Sequence, residues 1–166
     1  MINWLEKNNA CKEGIDWCEE NCDTMQDVWD SLERVDWLVW VATKEGVLTD
    51  KELRLFACFC ARQNWHLLTD ERSRNAIEVA ERFANGNATD EELKAADVAA
   101  YDAADAAAYA DDADAYSAAY AAADADAAYA ARVASAFADS DARAATRKEQ
   151  IEWLRSNTTP NFGGTK

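Results

Sequence analysis

Apolar side chains recur every three or four residues along most of this chain, which is the spacing of an α-helix. Between Lys12 and Asn21 the pattern places Ile15, Cys18 and Cys22 on one side of a predicted helix. The same spacing predicts a largely buried helix from Thr49 to about Leu68, with inward positions at Leu53, Phe56, Ala57, Cys60, Asn64 and Leu67. The chain is therefore predicted to be all-α.

Capping residues mark where these helices begin and end. In a capping box, a Ser or Thr side chain accepts a hydrogen bond from an amide of the first turn, and an acid three residues later reaches back. Thr49–Glu52 and Thr89–Glu92 have this form. Glycine favours the left-handed conformation that follows a helix end, so Gly46 and Gly86 predict stops. Further caps are predicted at Thr24 for Met25 to Leu32, at Asp36 for Trp37 to Lys44, and at Thr69 or Asp70 for a helix through Phe83.

These elements predict one irregular helical bundle over residues 1–156. Short Trp-rich helices occupy 1–48, two central helices occupy 49–86, an alanine- and aspartate-rich helix occupies 89–138, and a final helix occupies 140–156. Unbroken, the alanine-rich helix would be roughly 73 Å long, which favours a break at 111–114 or 139–141. Residues 157–166 hold the chain's single proline and no periodicity, so they predict a flexible tail.

Alanine dominates the second half of the chain at helical spacing. One series repeats every 3.6 residues on average, and a stripe of such small side chains lets another backbone approach closely. Large apolar residues concentrate before residue 85, so the main core is expected to be N-terminal and rich in tryptophan. The alanine series is Ala95, Ala99, Ala103, Ala107, Ala110, Ala113, Ala118, Ala121, Ala125, Ala128, Ala131, Ala134, Ala138, Ala142 and Ala145.

The net charge of −15 restricts the classes of partner that the protein is expected to bind. The acids lie in two blocks, residues 1–50 and 87–146, and no comparable cluster of Lys and Arg supplies the counterion release on which direct nucleic-acid binding depends. A basic protein is the natural complement. No apolar run is long enough to span a membrane and no signal peptide precedes the first helix, so a cytoplasmic location is expected.

No catalytic, cofactor or metal motif is visible. Cys18 and Cys22 share a helix face and could be imagined with His66 as a zinc site, but there is no C-x-x-C pair, and Cys58 and Cys60 would point apart on a helix. The interpretation we favour is buried thiols, a non-enzymatic chain, and neither cofactor nor metal.

The candidate binding surface lies on the alanine-rich helix. Counted along one unbroken helix, Tyr109, Tyr116 and Tyr120 share a sector beside the alanine stripe, either as an aromatic binding strip or as rings that fill gaps in the packing. Aspartates mostly point away from the stripe, although Asp102 does not, and a solvated face is the simpler interpretation. The acidic candidates for partner binding are Asp97, Asp105, Asp111, Asp112, Asp114 and Asp126.

Four blocks of sequence resemble a poorly characterised family of helical, alanine-rich bacterial and phage proteins labelled as immunity proteins. The resemblance implies an all-helical fold and a toxin-immunity role, and it brings no catalytic residues. Its alanine-rich helix is expected to mix arginine with aspartate, whereas this chain has mainly aspartate. The blocks are residues 53–86, which precede an Ala-Thr-x-Glu-Glu-Leu motif, together with residues 9–17, 36–40 and 150–155.

Three hypotheses for function follow. The first is an immunity- or antitoxin-like neutraliser that covers a basic site on a toxin or nuclease with its acidic helices. The second is a phage counter-defence protein whose acids mimic nucleic-acid phosphates and block a restriction or CRISPR nuclease. The third is a structural protein that self-associates through the alanine stripe as a homodimer. The first two predict binding that weakens as salt rises.

Overall fold

The prediction of an all-α fold is confirmed. A computed structural model describes residues 1–109, 113–124 and 140–163, and within those ranges it contains nine α-helices and no strand. A single 3₁₀ turn, Trp65–Leu67, lies between α5 and α6. The helices are α1 (Ile2–Lys7), α2 (Lys12–Asn21), α3 (Met25–Ser31), α4 (Val35–Ala42), α5 (Asp50–Gln63), α6 (Glu71–Ala84), α7 (Asp90–Tyr109), α8 (Ala113–Asp124) and α9 (Ser140–Asn157).

Most predicted caps are confirmed. Thr24, Thr49 and Asp70 each accept a hydrogen bond from a first-turn amide, and Thr24 and Thr49 form complete capping boxes. At the start of α7 the Thr89 amide donates to Glu92 at 2.8 Å, and the Glu92 amide donates back to Thr89 at 3.2 Å.

Two boundaries differ from the prediction. Asp36 is not the cap of α4, because the helix begins at Val35, two residues earlier than predicted, and Arg34 occupies the N-cap position. The Asp36 carboxylate instead lies 2.6 Å from the guanidinium of Arg34. The helix expected to reach Leu68 ends at Gln63, and the chain continues as the 3₁₀ turn.

The first core cluster is N-terminal and aromatic. Helices α1 to α5 and α9 surround it, with Trp29, Leu38, Phe56 and Leu154 fully enclosed. The residues expected to form a flexible tail contribute to this core: the Asn161 amide donates to the carbonyl of Val47 at 2.8 Å, and the ring of Phe162 packs edge-on against Trp4 and Trp29.

The second core cluster lies between α5, α6, α7 and α8, and alanine supplies most of it. Ala76, Ala100 and Ala104 have no exposed surface, and the Ala118 side chain is nearly enclosed. Small side chains let helices approach closely, so these four helices pack with little between their backbones. Helix α5 joins the clusters, since Phe56 and Cys60 belong to the first and Cys58 and Ala61 to the second.

The described parts of the alanine-rich segment form two helices, α7 and α8. They pack along each other, and both contact α6. Two stretches of one straight helix cannot touch side by side, so α7 and α8 are not parts of one straight helix. This arrangement places α8 over α6 and α5 and gives the molecule its second core.

Much of the described part of the second acidic block therefore lies on α7 and α8, a pair of helices backed by α6. Among the described helices, none is both long enough and apolar enough to cross a bilayer.

Candidate protein-binding face

Four exposed side chains follow one another along the outside of α7. Val98, Asp102, Asp105 and Tyr109 stand at positions i, i+4, i+7 and i+11, which places them on a single helix face. We call this set the α7 outer face. Val98 is 55% exposed and Tyr109 is 92% exposed, and they are the large hydrophobic side chains that stand out in the part of the chain described. The α7 outer face therefore exposes two acidic groups between two apolar groups.

The opposite side of α7 is buried. Leu93, Ala96, Ala100, Ala103 and Ala104 face α6 and α8, so the helix is held along its length. Its start is fixed by the Thr89–Glu92 capping contacts, described above. The α7 outer face is thus presented on a supported helix, so little conformational entropy of the backbone remains to be lost on binding.

The buried side matches the expected alanine series only in part. Of that series, Ala103, Ala118 and Ala121 are buried, but Ala95 is exposed and Ala99 and Ala107 are half-buried. On α7, Ala96, Ala100 and Ala104 are buried instead, so the packed stripe is shifted by one residue from most of the expected stripe. That shift moves Asp102 outward, contrary to the expectation that it points toward the stripe.

The acidic candidates fall into different environments. Asp105 lies on the α7 outer face, and Asp114 is exposed in the first turn of α8, where a negative charge stabilises the helix dipole. Asp97 lies half-buried at the side of α7, and burial raises the pKa of its carboxyl, while the charge of Arg54 acts in the opposite direction. The remaining candidates, Asp111, Asp112 and Asp126, lie outside the described residues.

The three tyrosines do not form one strip. Tyr109 stands in solvent on the α7 outer face, whereas Tyr116 and Tyr120 are half-buried and their rings pack with centroids 5.8 Å apart. Tyr101 meets Tyr120 edge-on at 5.2 Å. The expected common sector assumed one continuous helix, whereas Tyr109 lies on α7 and Tyr116 and Tyr120 lie on α8. Tyr101, Tyr116 and Tyr120 therefore fill the gap between α7 and α8.

Val98 and Asp102 are the members of this face that the sequence interpretation missed. The signal was present, because i, i+4, i+7 and i+11 spacing links them to Asp105 and Tyr109. It was hidden by the choice of the alanine series as the packed side.

The five cysteines are free thiols, and Cys18, Cys58 and Cys60 are buried as expected. The expectation of burial is wrong for Cys11, which is exposed, and Cys22 is only half-buried. Burial raises the pKa of Cys18 to about 11 and that of Cys58 to about 12, and it raises the pKa of Cys60 well above its ordinary value. These three thiols stay protonated at neutral pH and are poor nucleophiles.

The chemistry available on the α7 outer face is recognition: two carboxylates can pair with cations, and a ring and an aliphatic group can be covered by a partner. Among the described residues, no group of three or more His, Cys, Asp or Glu side chains could hold a metal ion. No protein-family model matches the chain, and neither a curated protein nor a solved structure matches it.

Proposed function

We propose that this chain is a non-enzymatic, acidic binding protein that neutralises a basic protein toxin or nuclease, with the α7 outer face as its contact surface. The observation that carries the proposal is the pairing of two exposed large hydrophobic side chains with two carboxylates on one supported helix face. Neither the two hydrophobic side chains nor the two carboxylates would by themselves indicate a specific binding site. Together they have the composition of a protein interface, in which an aromatic anchor is ringed by polar groups.

The charge of the surroundings favours a basic partner. Within the described part of α7 and α8, Lys94 is the only cationic side chain. On the neighbouring helix α6, Arg72 is paired with Asp70 at 2.8 Å and also interacts with Asp102 at longer range. A field of one sign raises the rate of encounter with a partner of opposite sign.

The apolar groups on either side of the acids favour a neutraliser over a nucleic-acid mimic. Binding sites for nucleic-acid backbones are built to contact closely spaced phosphates. On the α7 outer face, Val98 and Tyr109 lie on either side of Asp102 and Asp105, so half of the set has no counterpart in a phosphate array.

Self-association through the alanine stripe is the less favoured alternative. Ala100, Ala104, Ala118 and Ala122 already pack against other helices of the same chain. A second copy could reach them only if α7 and α8 separated.

The resemblance to immunity-labelled helical proteins supports the same proposal. Two of its blocks, residues 53–86 and 150–155, contribute to α5, α6 and α9, which form the scaffold behind α7 and α8. In this proposal the scaffold holds α7 in place, and the acids of α7 cover the toxin's basic site.

The test begins with the full-length protein carrying an affinity tag, incubated with lysate of the organism that encodes it and eluted with a salt gradient. The protein released at moderate salt is identified, purified, and titrated with the unaltered chain and with three variants of it. The Asp102→Asn/Asp105→Asn double variant and the Tyr109→Ala variant are each expected to weaken binding about tenfold at low salt, equivalent to about 1.4 kcal/mol.

The matched control is the Glu19→Gln/Glu20→Gln double variant. It also removes two negative charges, but from exposed positions of α2, so its affinity for the partner is expected to stay near that of the original chain. Equal affinities for the α7 and α2 double variants would contradict the assignment of the face. Competition with duplex DNA or RNA for the same partner site would favour the mimic over the neutraliser.

A further inference from the structure

The N-terminal helices line a cavity of about 250 Å³ that is partly open to solvent. Its apolar wall comes from Leu5 on α1, from Val28 on α3, from Leu32 just after α3, and from Val41 on α4, all of them in the first core cluster. An apolar cavity of roughly 150 Å³ is large enough to hold benzene, so this one can hold a somewhat larger ring system. It lies away from the α7 outer face and does not depend on the function proposed for that face.

The mouth of the cavity is aromatic and polar. The indoles of Trp37 and Trp40 line it and are only partly buried, and the exposed side chains of Asn9 and Asp36 lie beside them. Asn9 adopts a left-handed backbone with φ of 60°, the one residue other than glycine with positive φ in the described ranges. Pockets that bind small molecules combine apolar walls with a few polar groups in this way.

The charge of Asp36 is already balanced within the protein. The Arg34 guanidinium lies 2.6 Å from the Asp36 carboxylate and 3.2 Å from the Glu13 carboxylate. The same guanidinium lies 3.9 Å from the centre of the Trp37 ring. A cationic ligand would have to compete with Arg34, and an anionic ligand would be repelled by the surrounding acids. A charged group placed deeper would lose its hydration among Leu5, Val28 and Val41 without gaining a partner.

From this geometry we infer that the cavity binds a small, uncharged aromatic molecule, with its ring among the aliphatic side chains and against the two indoles. Aromatic rings prefer edge-on or offset contacts with such indoles, which Trp37 and Trp40 offer from the mouth. An N–H or O–H group on the ring can donate to Asn9 or Asp36. Indole itself has this chemistry and serves as the probe.

The experiment follows the seven tryptophan side-chain N–H signals of the full-length, ¹⁵N-labelled protein during titration with indole. Trp37→Phe and Trp40→Phe variants assign the two relevant signals. Those two are expected to shift together and to saturate, while the signals of Trp65 and Trp153, which lie outside the cavity lining, stay in place. The absence of a saturable shift, or an equal shift of all seven signals, would overturn the proposal.

Two comparisons sharpen the result. Gly14 lines the cavity in the first turn of α2, and an added Cβ there would have Cys11 Sγ as its nearest contact, at 3.4 Å. Gly14→Leu is therefore expected to weaken indole binding by an order of magnitude, whereas Gln26→Leu, an exposed position on α3, leaves it unchanged. Circular dichroism checks that both variants fold, and the titration of the unaltered chain decides the question if Gly14→Leu does not.

Charged analogues test the nature of the ligand. Tryptamine carries an ammonium group and indole-3-acetate carries a carboxylate, and each is expected to bind at least an order of magnitude more weakly than indole. Tighter binding of either analogue would overturn the assignment of an uncharged ligand.

Discussion

At the scale of single residues, Glu52 ties the start of α5 to the C-terminal segment. Its carboxylate accepts hydrogen bonds from the Thr49 amide at 2.8 Å and the Thr49 hydroxyl at 2.7 Å, and from the Thr159 amide at 3.0 Å. Burial by itself raises the pKa of this carboxyl, but the hydrogen bonds favour the ionised form and hold the pKa of Glu52 below its ordinary value of 4.5. The capping half of this arrangement follows from local sequence, whereas the contact with Thr159 joins residues 107 positions apart.

We therefore predict a pH-dependent cost for Glu52→Gln. Because the folded-state pKa is below the unfolded-state value, the carboxylate's contribution is fully present above about pH 4.5 and is lost as the pH falls through the folded-state pKa. At pH 7 the variant is expected to lose about 1 kcal/mol of unfolding free energy, the usual worth of a helix cap. Urea denaturation at pH 7, and again one pH unit below the ordinary pKa of this carboxyl, measures the loss of unfolding free energy at each pH.

The control for this change is Glu20→Gln, which removes one carboxylate from an exposed position on α2. It is expected to cost less at pH 7. A loss for Glu52→Gln that stays the same size at both pH values would show that the ionised form is not what the hydrogen bonds stabilise.

At the scale of the helix, alanine content decides how much of α7 and α8 the sequence can specify. Where alanine occupies about half of the positions, more than one series of small residues runs along a helix at the same spacing. The series through Ala95 and Ala99 and the series through Ala96 and Ala100 are neighbours, and large side chains that would select one of them are few. The structure buries the second series, in line with Leu93, the largest apolar residue at the start of α7.

This choice of stripe can be tested by enlarging one alanine on each side of α7. Ala100 has no exposed surface and faces α6 and α8, whereas Ala106 is exposed. Ala100→Leu is expected to destabilise the fold by about 1 to 3 kcal/mol, since the closely packed helices must separate to admit it. Ala106→Leu is expected to leave stability within about 0.5 kcal/mol of the original.

Urea denaturation of the two variants gives the comparison directly, because both make the same chemical change in the same helix. If Ala106→Leu were the more damaging variant, α7 would be packed through the opposite face from the one described. Equal, small effects would indicate that α7 is not closely packed at all.

Local signals account for most of the element boundaries that the sequence predicts. Thr24, Thr49 and Thr89 act through residues three positions away, and their boxes can be read without knowledge of the fold. Arg34 displaces Asp36 from the cap of α4, although the sequence favoured Asp36. Interactions with Glu13, on another helix, help to hold Arg34 there and leave no local signal.

The candidate face was half visible for a related reason. Asp105 and Tyr109 were found because exposed acids and rings were sought on α7. Val98 and Asp102 were missed because the phase of the helix was misassigned. The environment of Tyr116 and Tyr120 depends on how α8 packs against α7. Tertiary contacts decide that packing, so the local sequence could not predict it.

At the scale of the whole molecule, the ion pairs of the described ranges balance only part of the excess of acidic residues. Pairs such as Lys12 with Asp16 and Lys148 with Glu152 lie on the surface, where each contributes little. Replacing acidic residues would lower the net charge and the repulsion within the chain, but this is useful only if binding does not require that charge. The proposed function gives the charge a purpose, at the cost of repulsion within the folded chain.

That repulsion leads to a final prediction, which concerns salt. Raising NaCl from 0.02 M to 0.5 M shortens the screening length from about 20 Å to about 4 Å, so most of the repulsion between separate surface acids is removed. With a net charge of −15, the midpoint of thermal unfolding at pH 7 is expected to rise by several degrees. At pH 4.3, close to the isoelectric point, the net charge is near zero and the same salt step is expected to have little effect.

Circular dichroism melts at both pH values test this prediction. Repeating them with KCl excludes the binding of a particular cation. A midpoint at pH 7 that fell or stayed constant would mean that local ion pairs outweigh the net repulsion, and that the acids are arranged more favourably than their number implies.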